Sequence, residues 1–395
     1  MKLLDRFPWL PLVLSGLLVL TGCATKPAAT SDARNLPFNE AVDVATDGLV
    51  KQTQNLPAFL AKMAKRGVVV DPMLDGASGQ QTAATRLLEQ RSTDRMKSNY
   101  AVFDLLPFDN ASLAKAQYLL TGTMTREQAA GAGVFLLNLA LTDLKTGNVV
   151  AQSSARARDD GLDTSPTPYY RDSPIVVRDS VVDGYIRTCA TAPGQRADPT
   201  YFQRVSTATL ISDATATYDG EKYDEALGKY QKALSSPSGE QLRVYNGIYL
   251  SNWKLGKTAE AEQAFGKVVE YGIANNTLGV KFLFNPGSTV FWSDTKVSGP
   301  YSIWLRQIAR QATAAKVCMD VVGHTSRTGS EPFNEKLSLN RAAYIKQRLE
   351  VESRDLATRT RAQGVGFRQN IVGTGTDDVR DALDRRVEFK IVPCS

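Results

Sequence analysis

The chain has 395 residues, 43% of them hydrophobic and 22% charged, with a formal charge of +6. That small basic surplus calls for no nucleic-acid partner, and the length suits two or three domains. The lone histidine, His324, argues against His-based hydrolysis and most zinc sites, and no G-x-S-x-G, H-E-x-x-H or P-loop pattern occurs, so no catalytic residue, metal or cofactor is expected.

Residues 1–22 read as a secretory signal. Lys2 and Arg6 form a basic n-region, Leu10 to Leu20 an apolar core, and Leu20-Thr21-Gly22-Cys23 a cleavage site. The apolar run is shorter than the roughly 20 residues of a membrane span. Leu-Thr-Gly-Cys resembles a bacterial lipobox, which implies that Cys23 is acylated and becomes the first residue of the mature chain. Buried acyl methylenes contribute about 0.8 kcal/mol each to such an anchor. In lipoprotein families of this kind Ala24, in place of Asp, implies the outer membrane, with the chain facing the periplasm. The alternative is an ordinary signal peptide followed by a chance cysteine. Ala24 to Leu36 is small and polar, so residues 23–36 are expected to form a flexible tether.

Residues 37–157 are expected to be one α/β sandwich. Ala41 to Leu60 has helical apolar spacing, and Gly67 to Pro72 is a short buried strand. Thr82 to Lys97 gives a second helix, Tyr100 to Phe103 a strand, and Ala116 to Thr123 a helix end and strand. Val134 to Leu144 and Val149 to Arg156 flank a turn at Lys145-Thr146-Gly147-Asn148 and form a hairpin. Val68-Val69-Val70-Asp71, Ala116 to Thr123 and Leu139 to Val150 resemble the periplasmic domain of FlgO, CsgG and LpoB-type lipoproteins. A generic α/β sandwich is the alternative.

Residues 158–200, rich in Asp, Pro and Thr, are expected to be a connector with a stiffer piece at Ile175 to Ile186. Across 201–275 a repeat emerges. Ala226, Tyr230 and Ala233 recur thirty-five residues later as Ala261, Phe265 and Val268. This pattern resembles two tetratricopeptide units, helical hairpins with small residues where helices touch. Two units seldom bury a core of their own, so they are expected to dock on a flanking helix such as Phe202 to Ile211 and act as a spacer.

The last region, 278–395, carries the most specific signal. A strand-like run, Val317 to Val322, enters Gly323-His324-Thr325-Ser326-Arg327-Thr328-Gly329. A helical run follows with Asn334, Leu337-Ser338 and Arg341-Ala342, and Asp384-Arg385-Arg386-Val387-Glu388-Phe389 reads as the last strand. Cys318 and Cys394 share the parity of the non-core residues Asp320 and Lys390. They are expected to face one side of the sheet and pair, which an oxidising compartment permits. Cys189 is then odd, free or intermolecular. Gly373-Thr374-Gly375 reads as a turn rather than a phosphate cradle.

These motifs resemble the OmpA-like peptidoglycan-binding domain, with its GHTD loop, N-x-x-L-S-x-x-R-A helix start and NRRV strand. The resemblance implies a βαβαββ sandwich. It also implies a pocket for the diaminopimelate zwitterion of the wall's stem peptides, lined by Thr325, Asn334, Leu337 and Arg341 and supported by Arg386. Arg341 offers a guanidinium fork for the carboxylate. The alternatives are an internal ion pair for Arg341 and plain core packing for Leu337. His324 is expected to be structural. Ser326 stands where the family has the aspartate that receives the ammonium. Its neutral hydroxyl weakens that contact by about 1–2 kcal/mol, roughly tenfold in affinity. Glu331 and Asp384 are the candidate substitutes.

The expected function is a non-enzymatic lipoprotein that associates with peptidoglycan as an envelope anchor or scaffold, the rest of the chain docking other envelope proteins. The alternative is a regulator or assembly factor that docks a wall synthase or a secretion or flagellar machine through its N-terminal domain and repeats.

Overall fold

The computed structural model describes residues 30–53, 65–127, 133–285, 287–375 and 377–394. The expected signal peptide and Cys23 lie outside them. The first unit comprises β1 (Thr30–Leu36), α1 (Phe38–Thr53), β2 (Arg66–Val70), β3 (Leu74–Asp75), α2 (Ala83–Asn99) and β4 (Phe103–Leu106). It continues with α3 (Asn110–Leu113), β5 (Tyr118–Arg126), β6 (Val134–Asp143) and β7 (Val149–Arg158). The strands form one sheet in the order β1-β7-β6-β5-β2-β4, with β3 also on β5. The hairpin β6–β7 is antiparallel, as expected, β5 joins β6 antiparallel, and the outer pairs β1·β7, β5·β2 and β2·β4 are parallel.

The sheet is covered on both faces, which the alternation of side chains makes visible. Val68 and Leu120 pack with Leu49, Leu88 and Leu139 beneath α1 and α2. Their neighbours Val69 and Leu119 point the other way, into a cluster with Val181, Tyr185 and Tyr201. The expected strand at Tyr100 to Phe103 begins only at Phe103, because the Tyr100 amide donates to the Met96 carbonyl and closes α2.

Two expectations are corrected here. The tether does not extend to Leu36: Thr30–Leu36 pairs in parallel with β7, with a register shift between Asp32 and Asn35. A polar edge strand needs only backbone hydrogen bonds on one side and a single anchor, here buried Leu36. Residues 158–200 are not a loose connector either. They contain α4 (Pro168–Asp172), α5 (Ser180–Cys189) and α6 (Pro199–Phe202), and α5 and α6 cover the second face of the sheet. Two of the acidic residues in this stretch are helix caps, and others pair with arginines and a lysine. Asp179 accepts the amides of Val181 and Val182 at 3.0 and 3.1 Å, and Asp198 those of Thr200 and Tyr201 at 2.9 and 3.3 Å. Tyr201 donates to Asp71 at 2.5 Å across the interface.

The repeat region is two helical hairpins, α7 (Val205–Asp219) with α8 (Tyr223–Leu234) and α9 (Leu242–Lys254) with α10 (Thr258–Ala274). Ala226, Tyr230 and Ala233 of α8 and Ala261, Phe265 and Val268 of α10 are all buried. The helix expected to flank the repeats is α7, the first arm of the first hairpin. The true flank comes from the last unit: β8 (Gly279–Val280), α11 (Thr295–Ser298), α12 (Tyr301–Ala314), β9 (Cys318–Gly323), α13 (Glu331–Glu352), β10 (Thr360–Gly364) and β11 (Val387–Val392). Its element order is the expected βαβαββ with one extra short helix, α11, between β8 and α12, and its sheet order is β10-β9-β11-β8.

Helix α12 lies on α10, where Trp304 stacks on Phe265, and the same indole donates to the Tyr249 hydroxyl of α9 at 2.8 Å. One hydrophobic core runs from Tyr169 through the hairpins to Phe389, so the repeats are no free spacer. The connector joins in: the Val176 amide donates to Gly279 and the Lys281 amide to Pro174. Cys318 and Cys394 are disulfide-bonded, and Cys189 is free and buried, its thiol pushed up to about 12 by burial.

Gly247 on α9 tests the hairpin packing. A Cβ there would lie 2.3 Å from the Tyr230 ring. Gly→Ala in a helix ordinarily stabilises by about 1 kcal/mol. Gly247→Ala is instead expected to destabilise by about 1–3 kcal/mol, the cost of overpacking. Urea unfolding followed by circular dichroism measures it; a more stable variant would show that the ring does not occupy that hollow.

Candidate functional site

Strand β9 delivers the loop 323–330 and α13 leaves it. Gly323 is dictated by close approach, because a Cβ there would sit 2.1 Å from the Ser338 carbonyl oxygen on α13. The backbone pins the loop: the His324 amide donates to the Arg386 carbonyl at 3.0 Å, and the Thr325 amide to Gly366 at 3.0 Å. Asn334 Nδ2 donates to the carbonyls of Thr328 (2.7 Å) and Ser330 (3.1 Å), stapling the loop to the helix start. The Thr325 side chain is buried, and its hydroxyl lacks a hydrogen-bond partner among the described residues. The His324 imidazole is buried 3.5 Å from the Glu388 carboxylate; burial lowers its pKa, and Glu388 opposes that shift. Its setting is structural.

Arg341 lies two turns along α13 from Asn334 and is 94% buried (6% exposed). Its guanidinium packs over the Phe284 ring at 4.9 Å. Nε donates to the Ser288 carbonyl at 3.1 Å and Nη2 to Asn285 at 3.4 Å. Two of its five N–H groups are thereby spent. Among the described residues no carboxylate forms an ion pair with it, so the internal ion pair considered above is not present. Burial, with Arg385 adding repulsion, brings its pKa down to about 10, and Asp377 opposes that shift. Leu337 is half-buried and stands outside the core cluster on this helix. Phe333, one turn earlier, is exposed.

The anion comes from an unexpected place. Asp377, in the loop before β11, accepts hydrogen bonds from the Ser326 hydroxyl and, at 2.5 Å, from the Thr328 hydroxyl. Arg385 reaches the same carboxylate at 3.3 Å. Burial pushes the Asp377 carboxyl up, but Ser326, Thr328 and Arg385 hold it below the usual carboxylate range. Asp377 adopts φ +56°, a left-handed conformation that Asp tolerates better than most residues. Neither substitute named from sequence takes this role. Glu331 pairs with Arg368 at 3.1 Å on the surface. Asp384 is buried and accepts the amides of Ile371, Val372 and Gly373. Those bonds also make the Gly373–Gly375 segment a pinned turn.

Arg386 is placed differently from the expected support role. Its guanidinium is buried against Glu388 at 2.5 Å and the Gln369 carbonyl at 3.2 Å. Arg386 supports the loop through its backbone carbonyl alone, and the neighbouring Arg385 is the arginine that meets Asp377. Sequence reasoning missed Asp377, Arg385 and the 285–288 carbonyls. Asp377 is 51 residues from Ser326, and its one local signal is the glycine-rich turn before it.

No family model matches the chain, and no curated protein does. Solved structures do. The peptidoglycan-associated lipoprotein from Burkholderia pseudomallei is 19% identical with a TM-score of 0.24, covering 29% of this chain and 89% of that one. The cell wall anchor of the T6SS from Pseudomonas aeruginosa is 24% identical with a TM-score of 0.24, covering 29% and 78%. The periplasmic domain of Helicobacter pylori MotB is 17% identical with a TM-score of 0.24, covering 30% and 74%. At these scores nothing about the site is taken from them.

Installing the aspartate of the resembling family tests Asp377. Ser326→Asp sets two carboxylates where a hydroxyl now donates to one. Like charges raise one pKa, so the native state then holds a proton that the unfolded chain releases. Stability is therefore lost as pH rises through that window. Ser326→Asp is expected to lose about 1–3 kcal/mol at neutral pH and to recover as pH falls below about 4, where both states become protonated. Adding Asp377→Asn should abolish the loss. Chemical denaturation across pH measures it; a pH-independent loss would remove Asp377 from this contact.

Proposed function

We propose that this chain is a non-enzymatic outer-membrane lipoprotein, anchored through Cys23, that holds peptidoglycan through its C-terminal unit. The supporting observation is Arg341, a nearly buried guanidinium with N–H groups to spare and no carboxylate partner among the described residues. A buried, unpaired cation is costly, and an arriving carboxylate offsets that cost while gaining a bidentate partner. Asp377 sits on the adjoining loop and supplies the complementary anion. A diaminopimelate zwitterion then places its carboxylate on Arg341 and its ammonium on Asp377, and the lost family aspartate is replaced in space though not in sequence. Half-buried Leu337 and Thr325 with its unspent hydroxyl complete the wall. Among the described residues no helix is long and apolar enough to cross a membrane.

The test is retention of the lipid-free mature chain on purified sacculi. Wild type is expected to be retained, and Arg341→Ala and Asp377→Ala each to lose about tenfold or more in affinity, the scale of one charge-assisted hydrogen bond. Equal retention of all three would remove both residues from the site, and no retention of wild type would end the wall-binding reading. Cross-linking in cells to one dominant envelope protein, with wall binding absent, would favour the regulator instead.

A further inference from the structure

A second unpaired cation lies elsewhere, in a cavity of about 320 Å³ where the units meet. That volume falls at the small end of ligand sites, which run from about 300 Å³ upward. Its apolar wall comes from Leu250 and Trp253 of α9, Leu283 after β8, and Tyr301 and Trp304 of α12. Its charged groups are Arg171, Asp172, Lys254, Lys281 and Lys296, four cations against one carboxylate. That carboxylate is already spent: Asp172 holds Lys254 at 2.7 Å and Arg171 at 3.0 Å, and accepts the Tyr218 hydroxyl at 3.0 Å.

Lys281 is the informative group. It is 8% exposed, and its ammonium donates to the carbonyls of Tyr170 (3.3 Å) and Arg171 (3.2 Å) at the end of α4. Capping a helix end explains the position but not the charge. Carbonyl dipoles leave a full positive charge buried, and among the described residues no carboxylate lies within ion-pair distance of it. Burial brings its pKa down to about 8; Arg171 and Arg385 push the same way and Asp172 opposes them. An uncompensated buried cation beside an apolar, aromatic wall fits an anion with a hydrophobic body. With Arg171 and Lys254 engaged by Asp172, the single buried ammonium of Lys281 suits a single negative charge better than a doubly charged phosphate, which demands several donors.

We propose that this cavity binds a small monocarboxylate with an apolar tail, its carboxylate on Lys281 and its tail against Trp253 and Trp304. The site is independent of the wall-binding site, and its occupant would bridge the helical hairpins and the C-terminal unit.

Isothermal titration of the lipid-free mature chain with octanoate tests this, with octanol and octyltrimethylammonium as neutral and cationic controls. Octanoate is expected to bind about tenfold or more tightly than either control, and Lys281→Met to erase that preference. Circular dichroism verifies that Lys281→Met is folded. A second readout needs no variant. Near pH 8.5 Lys281 is partly neutral, and a bound carboxylate raises its pKa, so octanoate binding should take up a proton. Titrations in two buffers of different ionisation enthalpy detect that uptake. Octanol binding as well as octanoate, octanoate failing to bind, or binding without proton uptake would each overturn the proposal.

Discussion

Two helical hairpins carry too little apolar surface to stand alone, and the rest of the molecule is arranged around that deficit. The solution is a shared aromatic core. Trp304 of α12 packs on Phe265 of α10 and on Tyr301, and Tyr301 meets Phe282 and Phe291. Phe291 continues to Phe284 and Tyr344. The last ring in that path, Phe284, is the one on which Arg341 rests. The guanidinium is therefore held by packing that begins in the repeats, some eighty residues earlier in the chain. A helix of the C-terminal unit completes the helical stack, and in return the stack buttresses the loop whose carbonyls grip Arg341.

Electrostatically the chain separates two kinds of buried cation. Arg386 and Arg385 sit against carboxylates, Glu388 at 2.5 Å and Asp381 at 2.6 Å, and stabilise the turn before β11. The first of those pairs, together with His324, holds the Glu388 carboxyl well below the ordinary range despite burial. Arg341 and Lys281 have only carbonyl dipoles. A carbonyl satisfies an N–H but cannot neutralise a charge, so these two positions keep unspent attraction for an anion. Both lie beside aromatic rings that exclude water and strengthen that attraction.

Ser326 and Asp377 bring a hydroxyl and a carboxylate together from two loops. The loop position that carries an acid in the resembling family carries a hydroxyl here, and that hydroxyl donates to a carboxylate delivered by another loop. The carboxylate beside this loop belongs to the 377–385 segment, where Arg385 bonds both Asp377 and Asp381.

What could be read from the residues alone was whatever rests on local periodicity. The 35-residue recurrence of Ala226, Tyr230 and Ala233 located the packed faces of α8 and α10. The two-residue alternation on β9 and β11 placed Cys318 and Cys394 on one side, and the run after Gly323 located the loop and helix. Each is set by the spacing of side chains along one element. What the residues could not disclose depends on partners remote in sequence. Polar Thr30–Leu36 became a strand because β7 offered an open edge. Asp-rich 158–200 became a layer because Asp179 and Asp198 cap its helices and α5 meets the far face of the sheet. Asp377 reached Ser326, and Arg386 was drawn to Glu388, because packing brought those loops together. Patterns of one dimension report which face is buried; which charge meets which is decided only when the chain has closed in three.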